Sequence, residues 1–212
     1  MTTIVFISDT HGRHAELGRL SGDVLVHCGD GTDRTQSSID ELDAWFGEQD
    51  FAHVLYVPGN HDFCAEAHWR AGLPVFENAH VVVDQRVDLR GLRIYASPWV
   101  PDLQGWAYYA SERRLRQAWD QIPDDLDVLI THTPPATILD RNRRGESLGC
   151  PDLLRRLARR APRLHAFGHV HHSGGVETRD GTTFVNASSV HRDDLALRPP
   201  VTRTLEPRDD RT

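Results

Sequence analysis

Nine residues at five points along the 212-residue chain carry side chains fit for metal or proton chemistry. Asp9 and His11 lie in Ser8-Asp9-Thr10-His11-Gly12, and Asp30 follows Gly29. Asn60, His61 and Asp62 stand together after Gly59; His132 lies in Thr131-His132-Thr133, and His169 and His171 in Gly168-His169-Val170-His171. Carboxylates, imidazoles and one amide suit borderline divalent ions such as Mn, Fe, Zn, Ni or Co. The set is too rich in nitrogen for a calcium cage and lacks the thiolates of a structural zinc site. With His61 and Asp62 set aside, the remaining seven ligands are too many for one such ion. They suit two ions about 3.5 Å apart that share a carboxylate and leave positions open for a substrate. A His followed by an Asp is the arrangement that holds an imidazole in one tautomer or keeps it protonated, so His61 and Asp62 read as a proton-donating pair.

Each cluster closes an apolar run. Ile4 to Ile7 reads as a strand buried on both faces and Val54 to Val57 as a buried strand, and Asp23 to Cys28, Asp127 to Ile130 and Leu164 to Phe167 also read as strands. Helices are expected over His14 to Leu20, over Ser37 to Gly47 with Ser37 or Ser38 as cap, over Glu112 to Gln121, and over Leu153 to Ala161. Alternating strands and helices point to an α/β fold with parallel pairing, whose sites sit at the carboxyl ends of the strands. The middle reads differently: Val81 to Val83, Val87 to Leu89 and Leu92 to Ala96 are expected as antiparallel strands, and Val176 to Thr178, Thr182 to Asn186 and Val201 to Leu205 as a closing meander. No linker divides the chain, so one domain is expected over residues 1–205, with 206–212 as a polar tail.

Bulk composition narrows the partners. With 39% apolar and 26% charged residues the chain has the make-up of a soluble globular protein. A formal net charge of -7 argues against a general nucleic-acid surface, though bound divalent ions would reverse the sign locally. All 24 basic residues are Arg, which excludes Schiff-base chemistry and a P-loop lysine. Three widely spaced cysteines, Cys28, Cys64 and Cys150, suggest neither a disulfide framework nor a zinc knuckle. A cytoplasmic location is the expectation, since no apolar run is long enough for a signal peptide or a membrane span.

The ordered set Asp9-Thr10-His11, Gly29-Asp30, Gly59 to Asp62, His132 and Gly168 to His171 resembles the calcineurin-like metallophosphoesterase superfamily. Ile94 to Trp99, Ile130 to Pro135, Gly149-Cys150 and Thr183 to Ser188 resemble its branch of metallophosphoesterase-domain-containing, class III-like phosphodiesterases. The resemblance implies a four-layer αββα sandwich of two mixed β-sheets flanked by helices. It implies that Asp9, His11 and His171 hold one ion, that Asn60, His132 and His169 hold the other, and that Asp30 bridges. Gly31 and Thr131 depart from the residues usual in the superfamily, with an expected effect on local shape rather than on ligation.

The expected function is a phosphodiesterase with two divalent ions, Mn favoured, acting on a small phosphate ester of nucleotide type, 2′,3′-cyclic ones included. Hydroxide bridging the ions would attack phosphorus, and His61, kept cationic by Asp62, would protonate the leaving group. The alternatives are a phosphomonoesterase or nucleotidase of the same fold, and a metal-binding scaffold without chemistry. Neither a stable nucleic-acid complex nor a membrane is expected, and the sequence does not specify the oligomeric state. Arg13, His14 and Arg34 flank the ligand loops and can reach a phosphate. Trp99 can form an aromatic wall for a base or pack in the core, whereas Trp45, Trp69, Trp106 and Trp119 read as packing. Arg141, Arg143 and Arg144 form either a solvated loop or a substrate lid. Arg155, Arg156, Arg159 and Arg160 read as the wet face of a helix.

Overall fold

Successive side chains of a strand point to opposite faces, so an unbroken apolar strand must be covered twice. The first strand, β1 (Thr2–Ile7), is covered in this way. Its Ile4 and Phe6 enter one apolar cluster and Val5 and Ile7 another. The computed structural model describes residues 1–191 and 197–207. Of the tail expected over 206–212, residues 208–212 lie outside the described residues.

The elements follow in the order β1, β2 (Ser21–His27), α1 (Gln36–Gly47), β3 (Asp50–Tyr56), α2 (Phe63–Arg70), β4 (His80–Val81), β5 (Gln85–Leu89), β6 (Leu92–Ser97) and α3 (Glu112–Asp120). After these come β7 (Val128–Thr131), α4 (Pro151–Leu157), β8 (Leu164–Phe167), β9 (Gly175–Arg179), β10 (Thr182–Asn186) and β11 (Val201–Leu205). One sheet has the order β11-β1-β2-β3-β4 and the other β5-β6-β7-β8-β10-β9. In the first sheet β1, β2, β3 and β4 run parallel and β11 lies antiparallel to β1. In the second, β6, β7, β8 and β10 are parallel, edged by antiparallel β5 and β9. The α/β class and the sandwich of two mixed sheets flanked by helices are therefore as expected.

Three apolar layers hold the molecule. Between the sheets, Phe6, Val26 and Leu55 meet Ile94, Ile130 and Ala166. Under α1, Val5 and Leu25 pack against Ile39, Leu42 and Phe46. Under α3 and α4, Leu129 and Phe167 pack against Leu115, Trp119 and Leu153.

Several local expectations are corrected. The segment from Val81 to Leu89 is not a hairpin: β4 pairs with β3 and β5 pairs with β6, so the chain crosses between sheets there. The closing meander loses its third member, because β11 returns to the first sheet. The helix expected from His14 is a single 3₁₀ turn, His14–Leu17, ended by Gly18 at φ 68°. The cap of α1 is Thr35, whose side chain accepts the N–H of Ser38. Arg156 is not on a wet face: it is 7% exposed and donates to the Asp124 carboxylate at 2.7 Å and to the Ile122 carbonyl.

Candidate metal centre

The parallel strands of both sheets end at the same edge, and their loops face one another. Asp9 follows β1, Asp30 lies beyond β2, and Asn60 and His61 lie beyond β3. His132 follows β7, and His169 and His171 lie beyond β8. Asp9, His11, Asp30 and His171 bring one donor atom each to within 4.8 Å of one another, and so do Asp30, His132 and His169. Asp30 is common to both groups. Asn60 joins the second through Oδ1, 3.1 Å from His132 Nε2.

Close backbone bends make this convergence possible. Asp9, His11, Asp30 and His169 all have positive φ, at 52°, 44°, 57° and 70°. For residues with a Cβ such a conformation costs about 1–3 kcal/mol, and it persists only where neighbours over-determine it. Here they do. The N–H groups of Asp9 and His11 donate to the carbonyls of Gly29 and Asp30 at 2.8 and 3.0 Å. The N–H of His169 donates to the Asp9 carboxylate at 3.0 Å. Glycine is required where these loops approach one another, Gly59 and Gly168 among the positions. A Cβ at Gly59 would overlap Asp30 Oδ1 and His132, and one at Gly168 would overlap Ser8 Oγ and Asp9 Oδ2.

Several of these bonds join one sheet to the other. Ser8 after β1 bridges Ser188 after β10. Ser188 Oγ donates to Asp9 Oδ2 at 2.8 Å, and the N–H of Ser189 donates to the Ser8 carbonyl at 2.7 Å. From the second sheet, His132 Nδ1 reaches the Cys28 carbonyl at 2.7 Å.

The donor set fits a cation. A carbonyl can only accept, so the bond to Cys28 fixes the proton of neutral His132 on Nδ1. The Nε2 lone pair then faces Asn60 Oδ1 at 3.1 Å and Asp30 Oδ2 at 3.4 Å. With His132 neutral, three acceptors converge there, and only a proton on Nε2 or a cation can lie between them. Electrostatics points the same way. Burial opposes charge on His132, yet Asp30, through its charge and its hydrogen bond, together with Asp9 raises the imidazole to about 9. Burial likewise opposes ionisation of Asp9, but His171, His132 and His11 hold it well below the usual carboxylate range. The cluster requires positive charge at its centre, which two divalent ions would supply.

His61 stands beside this cluster. Its ring centroid is 4.8 Å from that of His11 and 4.7 Å from that of Trp106, and its backbone N–H donates to Asp30 Oδ1 at 2.8 Å. It borders a cleft of about 670 Å³ that is also lined by Asp30, Asn60, His169 and His171. The partnership expected between His61 and Asp62 is not formed. The Asp62 carboxylate accepts the N–H of Gly59 at 2.6 Å, of Asp30 at 2.9 Å and of Thr32 at 2.8 Å, and the Thr32 hydroxyl at 2.8 Å. Asp62 is fully buried and locks the loop from behind.

The expected substrate contacts fare differently from the ligands. Trp99 is 4% exposed and donates its indole N–H to Asp84 Oδ2 at 2.8 Å, so it is a core residue. The exposed indole at the cleft is Trp106, 40% exposed, which sequence patterning assigned to packing. His14 is buried against Trp45 at 5.6 Å, belongs to neither donor group and does not line the cleft. Arg13 pairs with Glu16 at 2.7 Å, and Arg34 lies over the Phe63 ring at 3.5 Å. Neither borders the cleft. Residues not singled out in the sequence are Ser188, which holds Asp9, and Arg198, which donates to the His171 carbonyl at 2.6 Å. Asn186-Ala187-Ser188 looks like a glycosylation signal, but the Asn186 amide is buried and donates to the Leu139 and Val170 carbonyls.

Comparisons with known proteins agree with this geometry. A family model for calcineurin-like phosphoesterases matches residues 2–173. Metallophosphoesterase domain-containing protein 1 of Homo sapiens is 33% identical over 227 residues, which cover 94% of this chain and 70% of the human protein. UPF0046 protein K07C11.7 of Caenorhabditis elegans is 32% identical, with 93% of this chain and 73% of the worm protein covered. Among solved structures, phosphopantetheinyl hydrolase from Mycobacterium tuberculosis superposes with a TM-score of 0.61 at 19% identity, covering 94% of this chain and 95% of that one. TT1561 of Thermus thermophilus gives a TM-score of 0.53 at 15% identity, covering 87% and 88%. These two structures are likenesses of fold. Among the described residues, no helix is long and apolar enough to cross a membrane.

Proposed function

Because the chain belongs to the calcineurin-like phosphoesterase family, and is thus a metal-dependent phosphoesterase, we propose that it hydrolyses phosphodiesters of nucleotide type, 2′,3′-cyclic ones included. The observation that carries this reading is the position of His61 at the rim of the acceptor cluster, facing a cleft large enough for a nucleotide. The ligand roles follow the two donor groups. Asp9, His11 and His171 hold one ion, Asn60, His132 and His169 the other, and Asp30 serves both. The domain occupies residues 1–205, the favoured ion is Mn, and the working compartment is the cytoplasm.

Bound at these groups, divalent ions supply Lewis acidity toward a phosphate oxygen and make a water molecule acidic near neutral pH. The residues of the chain do the rest. The buried carboxylates of Asp9 and Asp30 set the negative charge that retains the ions. His132 is fixed by Cys28 with Nε2 directed at the centre. A ring nitrogen of His61 gives its proton to the departing ester oxygen, a contribution of roughly 100- to 10,000-fold to the rate of such a step.

The test is turnover of bis-p-nitrophenyl phosphate against p-nitrophenyl phosphate with added Mn²⁺. The diester is expected to be the better substrate. Preference for the monoester would move the reading to a phosphomonoesterase, and turnover of neither would leave a binding scaffold.

A further inference from the structure

Trp106 and Arg144 stand on different segments lining the cleft, and neither is used by the reaction. Trp106 belongs to the segment 101–110, which is fixed to the catalytic loop by a bond from the N–H of Ala107 to the Asn60 carbonyl at 3.2 Å. Its indole touches His61 and Phe63, at centroid distances of 4.7 and 5.9 Å, yet remains exposed. An exposed indole beside a proton donor is an unusual use of a large apolar surface unless something planar covers it. Arg144 belongs to the hairpin 141–148, which also lines the cleft. That hairpin is ordered: Arg141 pairs with Ser147, the N–H of Asn142 donates to the Glu146 carbonyl, and Ser173 Oγ donates to the Arg141 carbonyl at 2.7 Å. The Glu146 carboxylate accepts from the Asn142 amide at 2.7 Å. Arg144 is exposed and lines the cleft, its backbone N–H is held by Asn142 at 2.8 Å, and no hydrogen bond or ion pair of its guanidinium is found among the described residues.

We propose that this cleft binds an ester whose organic arm is a planar ring stacked on Trp106 and carries a second anionic group received by Arg144. The substrate class would be a nucleotide with a phosphate in addition to the scissile one. A guanidinium presents a fork of donors that matches phosphate geometry, and stacking on an indole tolerates any base. Trp106 and Arg144 are then specificity residues, not part of the acid–base or ligand machinery. The proposal rests on the nucleotide reading above and sharpens it.

Binding to the manganese-loaded protein by calorimetry tests it independently of turnover. The probes are inorganic phosphate, ribose 5-phosphate, adenosine 5′-monophosphate and adenosine 3′,5′-bisphosphate. The monophosphate is expected to bind ~10-fold tighter than ribose 5-phosphate, a gain in line with stacking on one aromatic ring. Trp106→Ala should remove that gain and Trp106→Phe keep most of it, with inorganic phosphate unchanged in both. The bisphosphate should bind more tightly than the monophosphate, and Arg144→Gln should abolish that advantage alone. Equal affinity of ribose 5-phosphate and adenosine monophosphate, or a stacking gain that survives in Trp106→Ala, would overturn the aromatic subsite. A bisphosphate advantage untouched by Arg144→Gln would overturn the anion subsite. A protein that shows these preferences but hydrolyses no diester would keep this inference and lose the diesterase reading. Diester turnover without the preferences would do the reverse.

Discussion

Asp62 accepts the backbone N–H of Asp30 at 2.9 Å, so the residue next to His61 in sequence braces the carboxylate common to both donor groups. The brace extends to Gly59 and Thr32, and Asp30 in turn accepts the N–H of His61. One buried carboxylate thereby fixes the relative placement of two ligand loops.

Asp62→Ala should leave these donors unsatisfied inside the protein. The loss is expected to exceed about 3 kcal/mol, since each stranded buried donor costs about 1–3 kcal/mol. Metal affinity should fall ~10- to 100-fold, as for other residues that orient ligands. Urea denaturation and Mn²⁺ titration read the two effects, and unchanged metal binding would show that Asp30 needs no brace.

For His61→Ala the expected pattern is opposite. The side chain lies outside both donor groups, so metal content should match that of the unaltered protein. Turnover should fall by ~100- to 10,000-fold on alkyl esters, whose leaving oxygen needs a proton, and much less on p-nitrophenyl esters. Full activity on an alkyl diester would remove His61 from the proton transfer.

Gly168→Ala probes the crowding at Asp9. The added methyl would overlap Ser8 Oγ and Asp9 Oδ2, and both belong to the packed junction of the sheets. Metal affinity should drop by at least ~10-fold while far-ultraviolet circular dichroism stays unchanged. Wild-type affinity in this variant would mean that Asp9 can shift without consequence.

His165 gives a pH prediction away from the ligands. The Thr131 hydroxyl donates to the Thr133 carbonyl, so His165 Nε2 must donate to Thr131 Oγ1, leaving Nδ1 a buried acceptor near Phe167 and Phe184. Burial lowers this imidazole from 6.5 to about 3. The unfolded chain takes up a proton below pH 6.5 while the folded chain does not. Stability therefore falls as pH drops from 6.5 toward 3, by about 1.4 kcal/mol per unit from this group. His165→Gln should flatten that slope in denaturation curves taken between pH 7 and 4.5. An unaltered slope would assign the acid sensitivity to other groups, such as His27, which burial also lowers to about 3.

The strands that carry the site were legible because each places apolar residues on both faces, as Ile4 to Ile7 and Leu164 to Phe167 show, and because each ends in an abrupt polar cluster. What escaped the sequence depends on contacts between distant segments. Trp99 and Trp106 are both flanked by turn residues, and only the placement of Asp84 and Phe63 decides which indole is buried. Helix α2 gave little pattern because Ala65 is its one fully covered side chain. Asp62 stands beside His61 in sequence, but its carboxylate is satisfied by the backbone of a loop that lies some thirty residues earlier.

The bonds between Ser8 and Ser188, Asp9 and His169, and His132 and Cys28 have a mechanical consequence. The inner faces of the two sheets meet through aliphatic side chains, and such contacts, being non-directional, offer little resistance to sliding. Directional bonds at the edge that carries the candidate ligands act as a rivet that fixes one layer against the other. Ions held there would tighten the rivet. Their removal would permit shear between the layers, greatest at the opposite edge of the sandwich.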